Sequence, residues 1–129
     1  MTEVVDPEAE RLLQSEPLMA HLATCRDGRP HVAPVWYDYE DDTVELTTTG
    51  RKLANLRANP RVALSVQKDV DGTAKWMVTL LGTATVIEDD EERDAAAARI
   101  NEKYGADESA FPENVLVRVD VGSASHRIY

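Results

Sequence analysis

The sequence holds a single cysteine, Cys25, in 129 residues. A lone thiol excludes an intrachain disulfide, and with no CxxC partner it reads as a packed or idle side chain rather than a nucleophile. No apolar run approaches the roughly 18 residues of a membrane-crossing helix. The N-terminus, Met1-Thr2-Glu3-Val4-Val5-Asp6, is acidic where a secretory leader would be basic. No leader and no membrane partner are expected, and the expected location is cytoplasmic. Lysine is scarce: Lys52, Lys68, Lys75 and Lys103 are the four among fourteen cations, against 24 Asp and Glu, for a net charge of −10. That balance excludes sequence-independent nucleic-acid binding, which needs a cationic face. Acid-rich, lysine-poor surfaces of this kind resemble those of proteins from salt-loving organisms, where salt screens self-repulsion. Aromatics are few as well, with one Phe, two Trp and four Tyr. No Walker loop, GxGxxG, nucleophile elbow or Ser/His/Asp order is present. His21, His31 and His126 are isolated, and no His/Cys/Asp/Glu set has metal-ligand spacing, so no metal is expected.

What is present fits one domain spanning 1–129. A chain this short buries one core and has little left for a deep private pocket, which makes a site shared between two subunits reasonable. Asp6-Pro7-Glu8 is an N-cap, a first-position proline and an acidic first turn, opening a helix to about residue 14 or 15. Strands are expected at 18–24 and 31–39, joined by the Asp27-Gly28 hairpin signal. Pro34 cannot donate to a ladder, so it belongs at an edge, at a bulge or against a ligand. A strand at 43–48 precedes a short helix at 51–58, closed by Asn59-Pro60. Strands at 61–67 and 75–87 flank the Asp71-Gly72 turn, and Gly82 is placed to bend the second at a barrel corner. The acidic run 88–92 starts a helix to Tyr104, and two final strands are expected at 114–121 and 125–129. Antiparallel strand runs without βαβ alternation indicate a mainly β, closed antiparallel barrel plugged by short helices.

Three segments carry chemistry. In Thr47-Thr48-Thr49-Gly50-Arg51-Lys52 a strand ending in hydroxyls meets a glycine and two cations at a helix start. Free N–H groups and the helix dipole favour an anion there, Thr48 and Thr49 can donate to phosphate oxygens, Arg51 can bind in a fork and Lys52 adds a point charge. Cations disfavour a helix N-terminus unless an anion neutralises them. The alternative is a surface pair bridging to nearby carboxylates. In the second segment, Pro34, Val35, Trp36 and Tyr37 put adjacent aromatics on opposite faces of a strand, one for the core and one for a groove. The third is Lys75-Trp76, where a cation and an aromatic open the long strand; both could face a cofactor, or Trp76 could simply pack.

In this order the segments resemble the pyridoxamine 5′-phosphate oxidase-like family of FMN-binding split β-barrels, and within it the short branch that includes deazaflavin-dependent reductases. The resemblance rests on Leu22-Ala23-Thr24, Asp27-Gly28-Arg29-Pro30-His31, Pro34-Val35-Trp36-Tyr37, Thr48-Thr49-Gly50-Arg51-Lys52, Asn55 to Val62 and Gly82-Thr83-Ala84. It implies a homodimer with the cofactor at the subunit interface. Arg51, Lys52, Thr48 and Thr49 would bind the phosphate, Pro34, Val35 and Trp36 would run along the isoalloxazine ring, and Lys75 and Trp76 would approach from the partner chain. The implied function is an FMN-dependent oxidoreductase acting on a small-molecule substrate. The alternatives are a reductase using the deazaflavin coenzyme F420 and a non-catalytic flavin- or haem-binding module. No general acid or base stands out, and the cofactor would carry the hydride chemistry. The chain ends at Tyr129 without the Arg-rich tail with which true pyridoxamine phosphate oxidases recognise substrate, which argues against that activity.

Overall fold

Inward and outward side chains alternate along the strands, and this alternation together with the turn chemistry sets the architecture. The computed structural model describes residues 4–129; Met1, Thr2 and Glu3, which entered the argument against a leader, lie outside it. The elements run α1 (Pro7–Leu13), β1 (Ala20–Arg26), β2 (Arg29–Val35), β3 (Asp38–Glu40), β4 (Thr43–Thr48), α2 (Gly50–Ala58), β5 (Arg61–Val70), β6 (Thr73–Ile87), α3 (Asp90–Lys103) and β7 (Val115–Ile128). The strands form one sheet in the order β2-β1-β5-β6-β7-β4-β3, with every pairing antiparallel. β2 and β3 stand at opposite ends of that order, yet only Trp36 and Tyr37 separate them along the chain. The sheet therefore curls until its two edges approach each other, and no ladder joins them. The barrel is split at that seam.

Inside lie Leu22 of β1, Val44 and Leu46 of β4, Leu64 and Val66 of β5, Val78 and Leu80 of β6, and Val117 and Val119 of β7, all essentially fully buried. The three tight hairpins turn through Asp27-Gly28, Asp41-Asp42 and Asp71-Gly72, each with both residues at positive φ. That is the backbone two-residue hairpins require. Helix α1 stoppers one end of the barrel: Tyr37 donates its hydroxyl to the Leu13 carbonyl at 2.6 Å and Tyr39 donates to Glu10 at 3.0 Å. Helix α2 is seated by buried Leu56 and by the Asn55 amide, which donates to Thr24 Oγ1 at 3.1 Å. Helix α3 is pinned to β4 and β7 through Glu45, which binds Arg99 at 2.7 Å and Arg118 at 2.8 Å.

Three expected strands, 31–39, 114–121 and 125–129, are arranged differently in the structure. The strand expected at 31–39 breaks at Trp36 and Tyr37, because the Tyr37 backbone bonds to side chains: its N–H donates to Tyr104 Oη at 3.3 Å and its carbonyl accepts from Lys103 Nζ at 2.9 Å. The two final strands are one. β7 runs through Gly122, which is the extra residue of a bulge where pairing steps from Gly82↔Val121 to Leu81↔Ser123. Gly82 does mark the bend, and a Cβ there would stand 2.5 Å from the Asp120 carbonyl oxygen.

Candidate functional site

The first turn of α2 differs from those of the other two helices. Asp6 caps α1 by accepting from the Ala9 N–H, Asp89 caps α3 by accepting from the Glu92 N–H, and both helices carry acids in their first turn. At α2, Thr49 is in the extended N-cap conformation but makes no side-chain cap bond, and the first turn holds no acid. Arg51 and Lys52 occupy it instead. Among the described residues neither cation has a carboxylate within the 4.0 Å of an ion pair, so the surface-bridge alternative has no support. Unbonded N–H groups, the positive end of a helix dipole and two uncompensated cations together make a strong anion-attracting point.

That turn opens on a cavity of about 380 Å³, near the low end of the roughly 300–1,000 Å³ typical of small-molecule sites. Lys52 and Thr47, Thr48 and Thr49 form one end of it, while Pro34, Val35 and Trp36 form a side wall. Pro34 lies on β2, an edge strand, so its missing N–H costs no ladder bond. Trp36 and Tyr37, in the break between β2 and β3, divide between groove and core: Tyr37 is 1% exposed in the core, and Trp36 faces the cavity. The indole of Trp36 is fixed by stacking on Tyr104, with ring centroids 4.8 Å apart and planes within 4°, and by the edge of Phe111 at 5.6 Å.

Tyr104 closes the seam of the barrel. Its hydroxyl donates to the Leu18 carbonyl at 2.6 Å and accepts from the Tyr37 N–H. Burial pushes its phenol up to about 12, the Tyr37 N–H pulls the other way and the Asp38 charge adds to the rise, so it stays a protonated donor at neutral pH. Beside it, Lys103 Nζ lies 3.8 Å above the Tyr37 ring. Burial lowers its pKa, and Asp38 opposes that.

The expected site residues do not all meet. Thr48, Thr49, Lys52, Pro34, Val35 and Trp36 line the same cavity. Arg51 faces a neighbouring cleft between α2 and the β1–β2 hairpin. Lys75 and Trp76 are elsewhere, on β6: Trp76 is 7% exposed and belongs to the core of its own barrel, and Lys75 is exposed. The packing alternative for Trp76 is the one observed. Sequence reasoning missed Asn101 on α3, Phe111, Glu113 and Asn114 on the α3–β7 connection, and Met19 before β1, which also line the cavity. Arg93 donates to the Asn114 and Phe111 carbonyls at 3.0 and 2.8 Å, and Asn101 donates to those of Glu108 and Ala110 at 3.1 Å each. Phe111 is held at φ 56°, a strained backbone for a bulky residue. The one available signal was the chain's only phenylalanine in an otherwise polar loop. No group of three or more potential metal ligands is found among the described residues, and no helix among them is long and apolar enough to cross a membrane.

The sequence profile of the pyridoxamine 5′-phosphate oxidase family matches residues 5–127. Among solved structures, an F420 reductase is 27% identical with a TM-score of 0.74, over 93% of this chain and 98% of that one. A conserved hypothetical protein from Mycobacterium tuberculosis is 27% identical with a TM-score of 0.76, over 99% and 88%. The haem storage protein of Vibrio cholerae shares the fold at 21% identity and a TM-score of 0.75, over 96% and 94%. No curated protein sequence matches the chain.

Proposed function

The chain belongs to the pyridoxamine 5′-phosphate oxidase family and has its flavin-binding split-barrel fold, and from that premise we propose that it is an FMN-dependent oxidoreductase working as a homodimer. The observation that carries this reading is the α2 N-terminus, uncapped, free of acids and bearing Lys52, opening into a cavity walled by Trp36. The donor set fits a phosphorylated cofactor. Lys52, the first-turn N–H groups and the hydroxyls of Thr48 and Thr49 supply positive charge and donors suited to a monoester dianion, and Glu113 is the one carboxylate among the residues lining the cavity. Trp36, held rigid by Tyr104 and Phe111, offers an apolar wall to a planar ring at the other end. FMN, when bound, supplies hydride transfer; the protein binds, orients and excludes water.

A second subunit is supported by an uncharged row on the outside of the sheet. Val32, Ala23, Ala63 and Leu81 are consecutive partners across β2, β1, β5 and β6, and Val32 and Leu81 at its ends are 64% and 52% exposed. On an otherwise acidic protein, a second copy covering that row removes apolar area from water. The resemblance would then bring Lys75 to the partner's site.

FMN titration of the wild type and of the Arg51→Ala/Lys52→Ala double variant tests the reading. The double variant is expected to bind FMN at least tenfold more weakly while keeping the dimer mass in light scattering. Equal FMN affinity in the two proteins would overturn the phosphate site. The coenzyme F420 as ligand is the second reading, and it is favoured by the 27% identity to an F420 reductase.

A further inference from the structure

Phe111 holds a backbone conformation that its own neighbours in sequence oppose. A phenylalanine at φ 56° is strained, and the residue before a proline, here Pro112, is normally drawn to a φ of roughly −120°. The conformation persists because bonds from outside the loop fix it. Arg93 of α3 donates to the Phe111 and Asn114 carbonyls, and Asn101 donates to those of Glu108 and Ala110. The Phe111 carbonyl also accepts from the Asn114 N–H at 3.1 Å, which makes Pro112 and Glu113 the middle of a tight turn. The Asn114 amide ties that turn to the threonine run before α2, donating to Thr47 Oγ1 at 3.4 Å. Strain held in place by surrounding bonds gathers at ligand clamps, where a side chain must stand in a set position.

That position is the mouth of the Trp36 cavity. The Phe111 ring meets the Trp36 indole edge-on, Met19 lines the same cavity, and Phe111 and Met19 are both exposed. Neither belongs to the row from Val32 to Leu81 that a second copy would cover. Glu113 lines the cavity from the turn and is exposed, and among the described residues it has no cation at ion-pair distance. The mouth is therefore aromatic and apolar with one bare carboxylate, whereas Lys52 and the threonine hydroxyls supply the far end. Aromatic lips favour a flat ring. An unpaired carboxylate on a protein of net charge −10 repels an acid.

Resting on the cofactor reading above, we propose that Phe111 and Glu113 determine specificity for the second reactant, admitting a flat aromatic ring that is uncharged or cationic and turning away one that carries an acidic group. With the cofactor in the cavity, Phe111 and Met19 hold that ring at the mouth. Glu113 sets the sign of the charge it can carry.

The test uses the full-length protein loaded with FMN, or with F420 where that is the cofactor it takes. It is titrated with 2-naphthol and with naphthalene-2-sulfonate, followed in the visible absorption band of the cofactor. The wild type is expected to bind the naphthol at least about tenfold more tightly than the sulfonate, with the gap narrowing at about 1 M NaCl. Glu113→Gln is expected to close most of that gap by tightening the sulfonate. Phe111→Gly is expected to weaken the naphthol at least about tenfold and the cofactor less than about threefold, because Tyr104 still stacks on Trp36. Glycine adopts φ 56° without strain, which offsets the packing that the ring gives up, so Tm is expected to stay within about 3 °C. Naphthol affinity unchanged in Phe111→Gly, or lost in step with that of the cofactor, would overturn the proposal. So would a naphthol preference that Glu113→Gln leaves intact, or displacement of the cofactor by the naphthol. A fall in the mass of Phe111→Gly in light scattering would overturn it too, by giving the lips to a partner subunit. A wild type that takes up neither FMN nor F420 overturns the cofactor reading and the proposal with it, whereas a loaded wild type indifferent to the naphthol overturns the proposal alone.

Discussion

Tyr104 donates to the Leu18 carbonyl, accepts from the Tyr37 N–H and stacks on Trp36. Removing its hydroxyl leaves two partly buried backbone groups without their partner, at a cost of about 1–3 kcal/mol. Tyr104→Phe is therefore expected to lower stability by that amount in urea unfolding while preserving the stack on Trp36. It should also change the response to alkali. The Tyr104 phenol is raised from 10.0 to about 12 in the folded protein, so the stability it contributes is complete below pH 10 and disappears as pH rises towards 12. Tyr37 and Tyr39 are raised too, chiefly by burial. Lys103 is lowered, so its burial cost is relieved as pH rises and offsets part of that loss. Tyr104→Phe is expected to make the fall in stability between pH 10 and 12 shallower, as followed by circular dichroism. An unchanged slope would show that the phenol does not titrate with unfolding. None of this was legible in the sequence, because the partners of Tyr104 lie 67 and 86 positions away. Lys52, Thr48 and Thr49 were legible, since a hydroxyl-Gly-cation run is local chemistry.

Among the elements, those whose ends depend on neighbouring residues were read closely. Asp6-Pro7 starts α1, and the hairpins at Asp27-Gly28 and Asp71-Gly72 form where their residue types demand. β7 is one strand where two are expected at 114–121 and 125–129, because its neighbour β6 takes Gly122 into a bulge beside Gly82. The bend is sterically specific. An added methyl at Gly82 would meet Asp120 O at 2.5 Å and Val119 Cγ1 at 2.8 Å, whereas at Gly122 the nearest atom is 3.7 Å away. Gly82→Ala is expected to cost about 1–3 kcal/mol through forced backbone movement, and Gly122→Ala less than about 0.5 kcal/mol. Equal midpoints in urea for both variants would refute the asymmetry. The loop that carries Phe111 escaped the sequence reading for a related reason. Arg93 and Asn101 hold it by bonding its carbonyls from a neighbouring helix, and no local pattern announces such contacts.

For the whole molecule the net charge of −10 matters more than any single pair. Its ion pairs involve mostly exposed groups such as Arg57–Glu88 and Arg99–Asp38, which contribute little individually. General repulsion among carboxylates opposes the compact state and is screened by salt. Raising NaCl from low ionic strength to about 1 M is expected to stabilise the fold by about 1 kcal/mol, roughly 3–6 °C in Tm for a domain of this size. A Tm that falls with salt would mean the specific pairs outweigh the repulsion. The uncharged row from Val32 to Leu81 belongs to this scale too. If it covers a second copy, charged Val32→Asp is expected to shift the mass in light scattering from dimer towards monomer.

The sequence by itself determined the strand alternation, the caps, the tight turns and the cationic helix start, because each is written in residues a few positions apart. The order of the strands, the curl that brings β2 to β3, and the seam closed by Tyr104 and Lys103 were decided only in three dimensions, by contacts between residues far apart in the chain. The same holds for the site. That Arg51 and Lys52 would attract an anion follows from local chemistry; that they face two different hollows follows from how α2 sits on the barrel, with Asn55 bonded to Thr24 and Leu56 buried beneath it.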